Sequence, residues 1–327
     1  MRDAGIGRGR RAPAGWHRPR RRPVTAPSPA TRAGSIYDLG YRRYEGPRLG
    51  RGHALRSLIA HSYRTTFGLG RSGRAKAAPF ILGAIATLPA VIIVGGLTVA
   101  ARFGFDRQLD DTELVGFNSY YSSITAIVAL FCAAQAPELF GRDQRHGVTA
   151  LYFARALRRS DYALARLIGF VLAVLTLLLV PMTILFLGRV LLSTDLGGAL
   201  GANLPNVGPI VGQGLVIAAL YGGLAMAISA WSSRRAYATA GIIALFTLPG
   251  IVTGIVINIG SSSVGSLLVL VSPNTIIDGT NALFFHRSLG EEYFFVDLPT
   301  WAYLAAAIVE IVLVVGLILR RYRRLTI

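Results

Sequence analysis

The stretch Glu138–Leu167, ELFGRDQRHGVTALYFARALRRSDYALARL, decides how the rest of the chain is read. It lies between two long apolar runs and carries six arginines against three acids, so it cannot sit in hydrocarbon. Within it Val148, Leu151, Tyr152, Ala156 and Leu157 are spaced to share one face of a helix. The expectation is a cytosolic helix under the membrane, offering a shaped basic surface to a cytosolic partner. A loop that only fixes orientation needs a few positive charges and not about thirty residues of this kind.

Composition agrees with a membrane setting. The 327 residues are 53% hydrophobic and 15% charged, with a mean hydropathy of +0.51, too apolar for an ordinary soluble domain of this length. Net charge is +18, and 18 of the 34 basic residues fall in positions 1–76, so the basicity is local. The single Cys132 excludes an intrachain disulfide framework and reads as a small buried hydrophobe.

Residues 1–34 are Arg, Pro, Gly and Ala with almost no apolar periodicity, and read as a disordered basic tail. Arg20, Arg21 and Arg22 come without aromatic interleaving or a binding fold, so no nucleic-acid partner is expected. They also lack the apolar region and cleavage site of an export signal. Residues 35–76 form a cytosolic, interfacial segment. In it Leu55, Leu58, Ile59, Ser62 and Tyr63 share a helical face while Arg56 and Arg64 lie elsewhere, the pattern of an amphipathic helix on the inner leaflet. Gly68, Gly70 and Gly73 match GxGxxG, but no strand precedes them, and dinucleotide binding is not expected.

Six apolar segments follow, at about 77–101, 117–137, 167–192, 207–231, 236–258 and 300–319, each long enough to cross about 30 Å of hydrocarbon. The predicted fold is therefore all-α, a polytopic membrane protein with a six-span domain over 77–320 and a basic C-terminus at 321–327. Connecting charge alternates. Asp106, Asp110, Asp111 and Glu113 outweigh Arg102 and Arg107 after span one, whereas the Glu138–Leu167 stretch is strongly basic. Arg234 and Arg235 follow span four without an acid, one Arg faces four acids between spans five and six, and Arg320, Arg321, Arg323 and Arg324 close the chain. The positive-inside rule then puts both termini in the cytosol, in a multi-pass protein of the cell membrane.

Between spans five and six, Val264–Val271 is apolar but too short to cross, and Ser272, Pro273 and Asn274 follow it. An outer re-entrant or interfacial hairpin is expected there, with Phe284, Phe285, Tyr293 and Phe294 at headgroup level. Gly208 with Gly212, and Gly250 with Gly254, give small-xxx-small spacings that permit close helix contact.

Chemistry is sparse. HExxH, GxSxG, CxxC and the GxxxxGK[ST] phosphate loop are all missing, so the chain is expected to be no enzyme, to hold no metal, and to hydrolyse no ATP by that route. One ionisable residue, Glu310, sits mid-span in AAAIVEIVLVV. It should face protein or water, either in a structural hydrogen bond to Gln213, Tyr221 or Gln135, or in a substrate or proton path.

In four segments the chain resembles the membrane subunits of type-2 ATP-binding-cassette exporters, particularly the actinobacterial kind. They are IYDLGYRRYEGPRLGR before the first span, APELFGRDQRHGVTALYFARALRRSDYALARL after the second, SSRRAYATA after the fourth and LVSPNTIIDGTNALFF after the fifth. The resemblance covers about residues 35–325. It implies that the second segment forms a coupling helix docking onto a separate cytosolic ATPase, with Arg142, Gly147, Leu151, Arg155, Arg159, Asp161 and Tyr162 matching the pattern and Tyr152 beside them on the apolar face. Ala156 and Arg166 stand where the family usually shows Pro and Lys. It further implies a permease that pairs with a second copy or a related permease, with ATP and Mg bound by the ATPase and no cofactor by this chain. Ser160 and Asp161 read as the N-cap and first-turn acid of span three. The alternative function is a non-transporting anchor or sensor that recruits a cytosolic protein through the same loop. A membrane enzyme is disfavoured by the missing motifs.

Overall fold

The computed structural model describes residues 46, 49–103, 116–153, 157–193, 195–258, 268–288 and 298–324. The tail at 1–34 and Arg155 therefore lie outside the described residues, as do Val264–Leu267 of the short apolar piece. Among the described residues there is no strand. The chain forms α1 (Arg51–Thr66), α2 (Gly73–Phe103), α3 (Phe117–Arg145), α4 (Thr149–Phe153), α5 (Arg159–Leu192), α6 (Leu196–Asn203), α7 (Val207–Trp231), α8 (Arg235–Asn258), α9 (Pro273–Phe285) and α10 (Thr300–Arg323). Six helical stretches, Gly73–Ala100, Phe117–Arg145, Arg159–Leu192, Leu196–Trp231, Arg235–Val256 and Thr300–Arg323, are long and apolar enough to cross a membrane. The protein is an all-α, multi-pass membrane protein.

Burial separates centre from periphery. In the most apolar window of α3, and of the span that joins α6 to α7, 61% of residues are buried; in α2 and α8 the figure is 17%. The centre is therefore α3, α5 and α7, with the outer faces of α2, α8 and α10 carrying exposed Ile92, Leu248 and Val312. Prolines at 79, 89, 137, 181 and 249 lie inside these helices, as spanning helices tolerate when neighbours re-satisfy the freed carbonyls.

Two spans run well past the expected ends. At about 1.5 Å per residue the 29 residues of α3 measure about 44 Å and the 34 of α5 about 51 Å, beyond the hydrocarbon thickness of about 30 Å. Glu138–Arg145 is thus the last two turns of α3, and Arg159–Leu167 the first turns of α5. This corrects the expected long coupling helix. The connection proper is residues 146–158, with only the five-residue α4 helical in its described part. The apolar face that suggested a longer helix instead divides, Leu157 turning into the core and Leu151 standing 69% exposed.

Helix α1 does not rest on lipid alone. Its Leu58, Ser62, Thr65 and Thr66 are buried, and it packs along the start of α5 at Gly169. A Cβ at Gly169 would come 2.5 Å from the Ser62 Cβ and 2.8 Å from the Ile59 carbonyl, so only glycine lets the two backbones approach this closely. The GxGxxG run is the turn from α1 into α2. Gly68 sits at φ +68°, its N–H donating to the Thr65 carbonyl and that of Leu69 to the Arg64 carbonyl, a Schellman ending.

Candidate functional site

At one end of the bundle the sequence pattern and the tertiary contacts converge. Gln144, near the end of α3, donates to the Ala230 carbonyl of α7 at 3.0 Å and to the Tyr322 hydroxyl of α10 at 3.2 Å. Glu138 pairs with Arg71 before α2 at 3.3 Å and with Arg235 at the start of α8 at 3.0 Å. The segments expected on one side of the membrane from their charge are therefore neighbours in space.

Their centre is Arg166. Its guanidinium pairs with Asp143 of α3, reaches the Ser62 hydroxyl of α1 at 3.4 Å and donates to the Tyr152 hydroxyl of α4 at 3.2 Å. It also lies 5.6 Å from the ring centres of both Tyr152 and Tyr162, within cation–π range. Tyr162 donates to Asp143 Oδ2 at 2.6 Å, and its ring packs with Phe140, Tyr152, Phe153 and Tyr322. A buried ion pair is tolerable when further hydrogen bonds and ring contacts surround it; here hydroxyls and rings meet most of the guanidinium, while its Nε is buried without a hydrogen-bond partner.

Most residues expected to face a partner instead hold this cluster. Gly147 takes φ +63° where α3 ends; its N–H donates to Gln144 O and that of Val148 to Asp143 O, so the backbone reverses in a second Schellman motif. Arg159 lies over the Phe153 ring at 5.8 Å. Asp161 receives the Arg51 guanidinium through two bonds of 2.6 and 2.7 Å, which raises the pKa of Arg51, and also accepts the Arg158 N–H at 3.1 Å. The N-cap of α5 is Arg158 rather than Ser160, which is the second helical residue; Asp161 does lie in the first turn. Among the described residues of the expected set, Gly147 is exposed at its turn, and the exposed side chains are those of Arg142 and Leu151.

Both border a groove of about 1360 Å³ between the end of α1, the α1–α2 turn and the loop. Arg64, Arg71, Arg142 and Arg166 line it against Glu138 and Asp143. His61 lines it too, but desolvation, with Arg166 next, lowers its pKa from the usual imidazole range against the opposing pull of Asp143. The standing charge of the groove therefore comes from its arginines and is positive.

A second site lies deeper. Helix α9 is wedged into the bundle, with Thr275, Ile276, Ile277, Gly279 and Thr280 buried. Its first turn reaches the middle of α7 and α8: the Tyr221 hydroxyl donates to Asn274 Oδ1, and Asn274 Nδ2 donates to the Phe246 carbonyl at 2.8 Å. Its far end meets the start of α3, where Asn281 donates to the Asn118 carbonyl at 3.0 Å. Glycines make the room. A Cβ at Gly279 would land on the Tyr303 ring, one at Gly212 would come 2.8 Å from Phe284, and one at Gly250 would come 3.1 Å from Asn274. One glycine of each small-xxx-small pair thus seats α9, while Gly208 and Gly254 have open space. Beside the first turns of α9 a cavity of about 720 Å³ opens between α3 and α8.

Glu310, Gln213 and Gln135 do not form the expected shared site. Gln213 donates to the Ile277 carbonyl at 3.0 Å, and the Tyr221 hydroxyl is taken by Asn274. Gln135 is buried in α3, and Glu310 Oε2 is buried with no hydrogen-bond partner. Sequence reasoning named Arg166 only as a departure from the family pattern and passed over Asp143, Glu138, Tyr322 and Asp278. Three of these five are acids beside arginines or within an apolar segment, where an unpaired carboxylate is costly; that cost was the available signal. Scanned against protein-family models the chain matches none, and no curated protein matches its sequence.

Proposed function

We propose that this chain is the membrane subunit of an ATP-binding-cassette exporter, coupled to a separate cytosolic ATPase that binds ATP and Mg. The observation that carries the reading is the Arg166 cluster, which ties the loop after the second span to α1, α3, α5 and α10 through buried contacts. A load applied to α4 is delivered to several helices as one body, because close-packed interiors transmit displacement and do not absorb it. The groove beside α4 supplies the docking face, positive within and with Leu151 at its edge. By loop charge this end of the bundle and both termini face the cytosol, and the membrane is the cell membrane.

The path itself is shared between two subunits. Ser122, Ser123 and Thr247 are exposed on span faces beside the α3–α8 cavity; their hydroxyls bond back to carbonyls of their own helices, and together they leave a polar strip on an otherwise apolar face. A second copy or a related permease covers them and completes a water-accessible route.

The test is to coexpress the chain with a candidate phosphate-loop ATPase and compare the unmutated subunit with Leu151→Asp. Because Leu151 projects outward, this change spares the Arg166 cluster, and loss of a docking anchor is expected to cost about 2 kcal/mol or more, about thirtyfold in affinity. Copurification and subunit-stimulated ATP hydrolysis should both fall. Unchanged binding and hydrolysis would remove the coupling role, and binding without any stimulation of hydrolysis would favour the anchor.

A further inference from the structure

The groove beside α4 carries more positive charge than its own acids take up. Glu138 is already shared by Arg71 and Arg235, and Asp143 is committed to Arg166 and Tyr162. Arg64 and Arg142, which line the same groove from the last turns of α1 and α3, have no ion-pair partner among the described residues. The negative ends of those helices, about half a unit each, offset the two guanidinium charges only in part. A neighbour feels the crowding: burial lowers the pKa of Arg71, and Arg142 lowers it further against the pull of Glu138. Depth is the second observation. Residues 167–188 of α5, between Arg166 on the groove wall and Arg189, hold no charge. These 22 residues measure about 33 Å, close to the hydrocarbon thickness of about 30 Å, so the groove wall lies at the level of the lipid headgroups.

We propose that this groove binds the phosphate of an anionic phospholipid, with Arg64 and Arg142 as its ligands. A guanidinium matches phosphate oxygens two at a time, and basic pockets between spans at a membrane face hold anionic headgroups. A free phosphate meets the same arginines, but it must give up its water in an open groove where solvent and salt screen the attraction. A lipid is kept beside the site by its chains, so its headgroup is presented at high effective concentration. Exposed Leu69, at the turn from α1 into α2, offers apolar contact to the same molecule. At about 1360 Å³ the groove exceeds the range of about 300–1,000 Å³ that holds small ligands, and so admits a headgroup with the beginnings of its chains. ATPase docking at the Leu151 rim needs neither Arg64 nor Arg142, and lipid binding does not rest on the exporter reading.

The test titrates phosphatidylglycerol, or phosphatidylcholine with the same chains, into the purified full chain in detergent and counts bound lipids by native mass spectrometry. The anionic lipid should bind more tightly. Arg64→Gln with Arg142→Gln should weaken it roughly thirtyfold, about fivefold for each arginine, and leave the zwitterionic lipid unchanged. Arg320→Gln with Arg323→Gln removes two exposed charges from the basic end of α10, outside the groove lining, and should change neither. Should the groove variant fail to assemble, Leu69→Glu adds a carboxylate at an exposed edge and should remove the preference by itself. Equal binding of the two lipids, a preference indifferent to the groove changes, or an equal loss from the α10 pair overturns the inference. Displacement of the lipid by inorganic phosphate would assign the groove to a soluble phosphate ligand, and displacement by an added ATPase would make it a protein-docking surface; either result also overturns it. A lipid-selective groove in a chain that stimulates no ATPase would leave this inference standing and remove the exporter reading. An ATPase-coupled chain without lipid preference would do the reverse.

Discussion

Asp143 in the last turn of α3 and Arg166 two turns into α5 are joined in an ion pair with side chains only 12% and 2% exposed. The two helices flank the loop in sequence, so the pair closes it at its base, and the Tyr152 hydroxyl on the same guanidinium closes it from within. The loop conformation is thereby a consequence of span packing.

Removing either partner alone leaves a buried uncompensated charge, a change that costs about 3–5 kcal/mol. Asp143→Leu and Arg166→Met should each sharply lower the unfolding midpoint in detergent, and the double variant should recover much of the loss. Losses that simply add would mean that the two residues do not act as a pair. In Arg166→Met limited proteolysis should also cut near Thr149–Phe153, because Tyr152 loses its hydrogen-bond partner when Arg166 goes.

The number and order of the spans were legible because hydropathy over about twenty residues is a local property, and no tertiary contact is needed to read it. Where α3 and α5 end was not. Arg142, Asp143 and Arg166 look like loop residues by charge, yet their helices continue because Arg166 and Asp143 neutralise each other across the bundle, a relation between positions 23 residues apart that no window sees. Periodicity also misled at Tyr152 and Leu151: neighbours on the predicted face, they turn to opposite environments once Gly147 reverses the chain. Asp278 was passed over for a similar reason. Its segment is polar enough to pass for an outer loop, and only the contacts of Asn274 with Tyr221 and Phe246 place it deep between α7 and α8.

The contact of Gly279 with Tyr303 should be sensitive to a single methyl group. A Cβ at Gly279 has no room against the ring, and overpacking of this kind costs typically about 1–3 kcal/mol. Gly279→Ala should therefore lower the thermal midpoint, and adding Tyr303→Leu should restore part of it by shortening the opposing side chain. Failure of the second change to rescue the first would locate the strain elsewhere on α9.

Orientation is open to direct labelling. In a Cys132→Ala background, single cysteines at Gly197 in α6 and at Ala236 in the first turn of α8 are both exposed, so access depends on the side of the membrane rather than on packing. With Gly197 outside and Ala236 inside, an impermeant thiol reagent should label the first in intact cells and the second only after permeabilisation. The opposite pattern would invert the chain and put the Arg166 cluster outside, beyond reach of any cytosolic ATPase.

Glu310 separates stability from function. Its Oε2 is buried without a hydrogen-bond partner, and an unmade hydrogen bond of this kind costs about 1–3 kcal/mol, so the carboxyl is a net burden on the fold. Two neighbouring inward positions on α10, Ala307 and Val314, are apolar and buried, and a leucine at 310 fits the same surroundings. Glu310→Leu should therefore raise the unfolding midpoint, and Glu310→Gln should change it less, since the amide keeps a polar group that still lacks a partner. Transport, measured on the same preparations, then gives the reason for keeping a destabilising residue. If both variants transport normally, Glu310 is tolerated and unused. If both are more stable but inactive, the carboxyl belongs to the moving parts or to the path, and its cost to the fold is retained for function. A lower midpoint for Glu310→Leu would show instead that the carboxyl is satisfied in the membrane, by water or by a second subunit, and would refute the account of it as an unpartnered group.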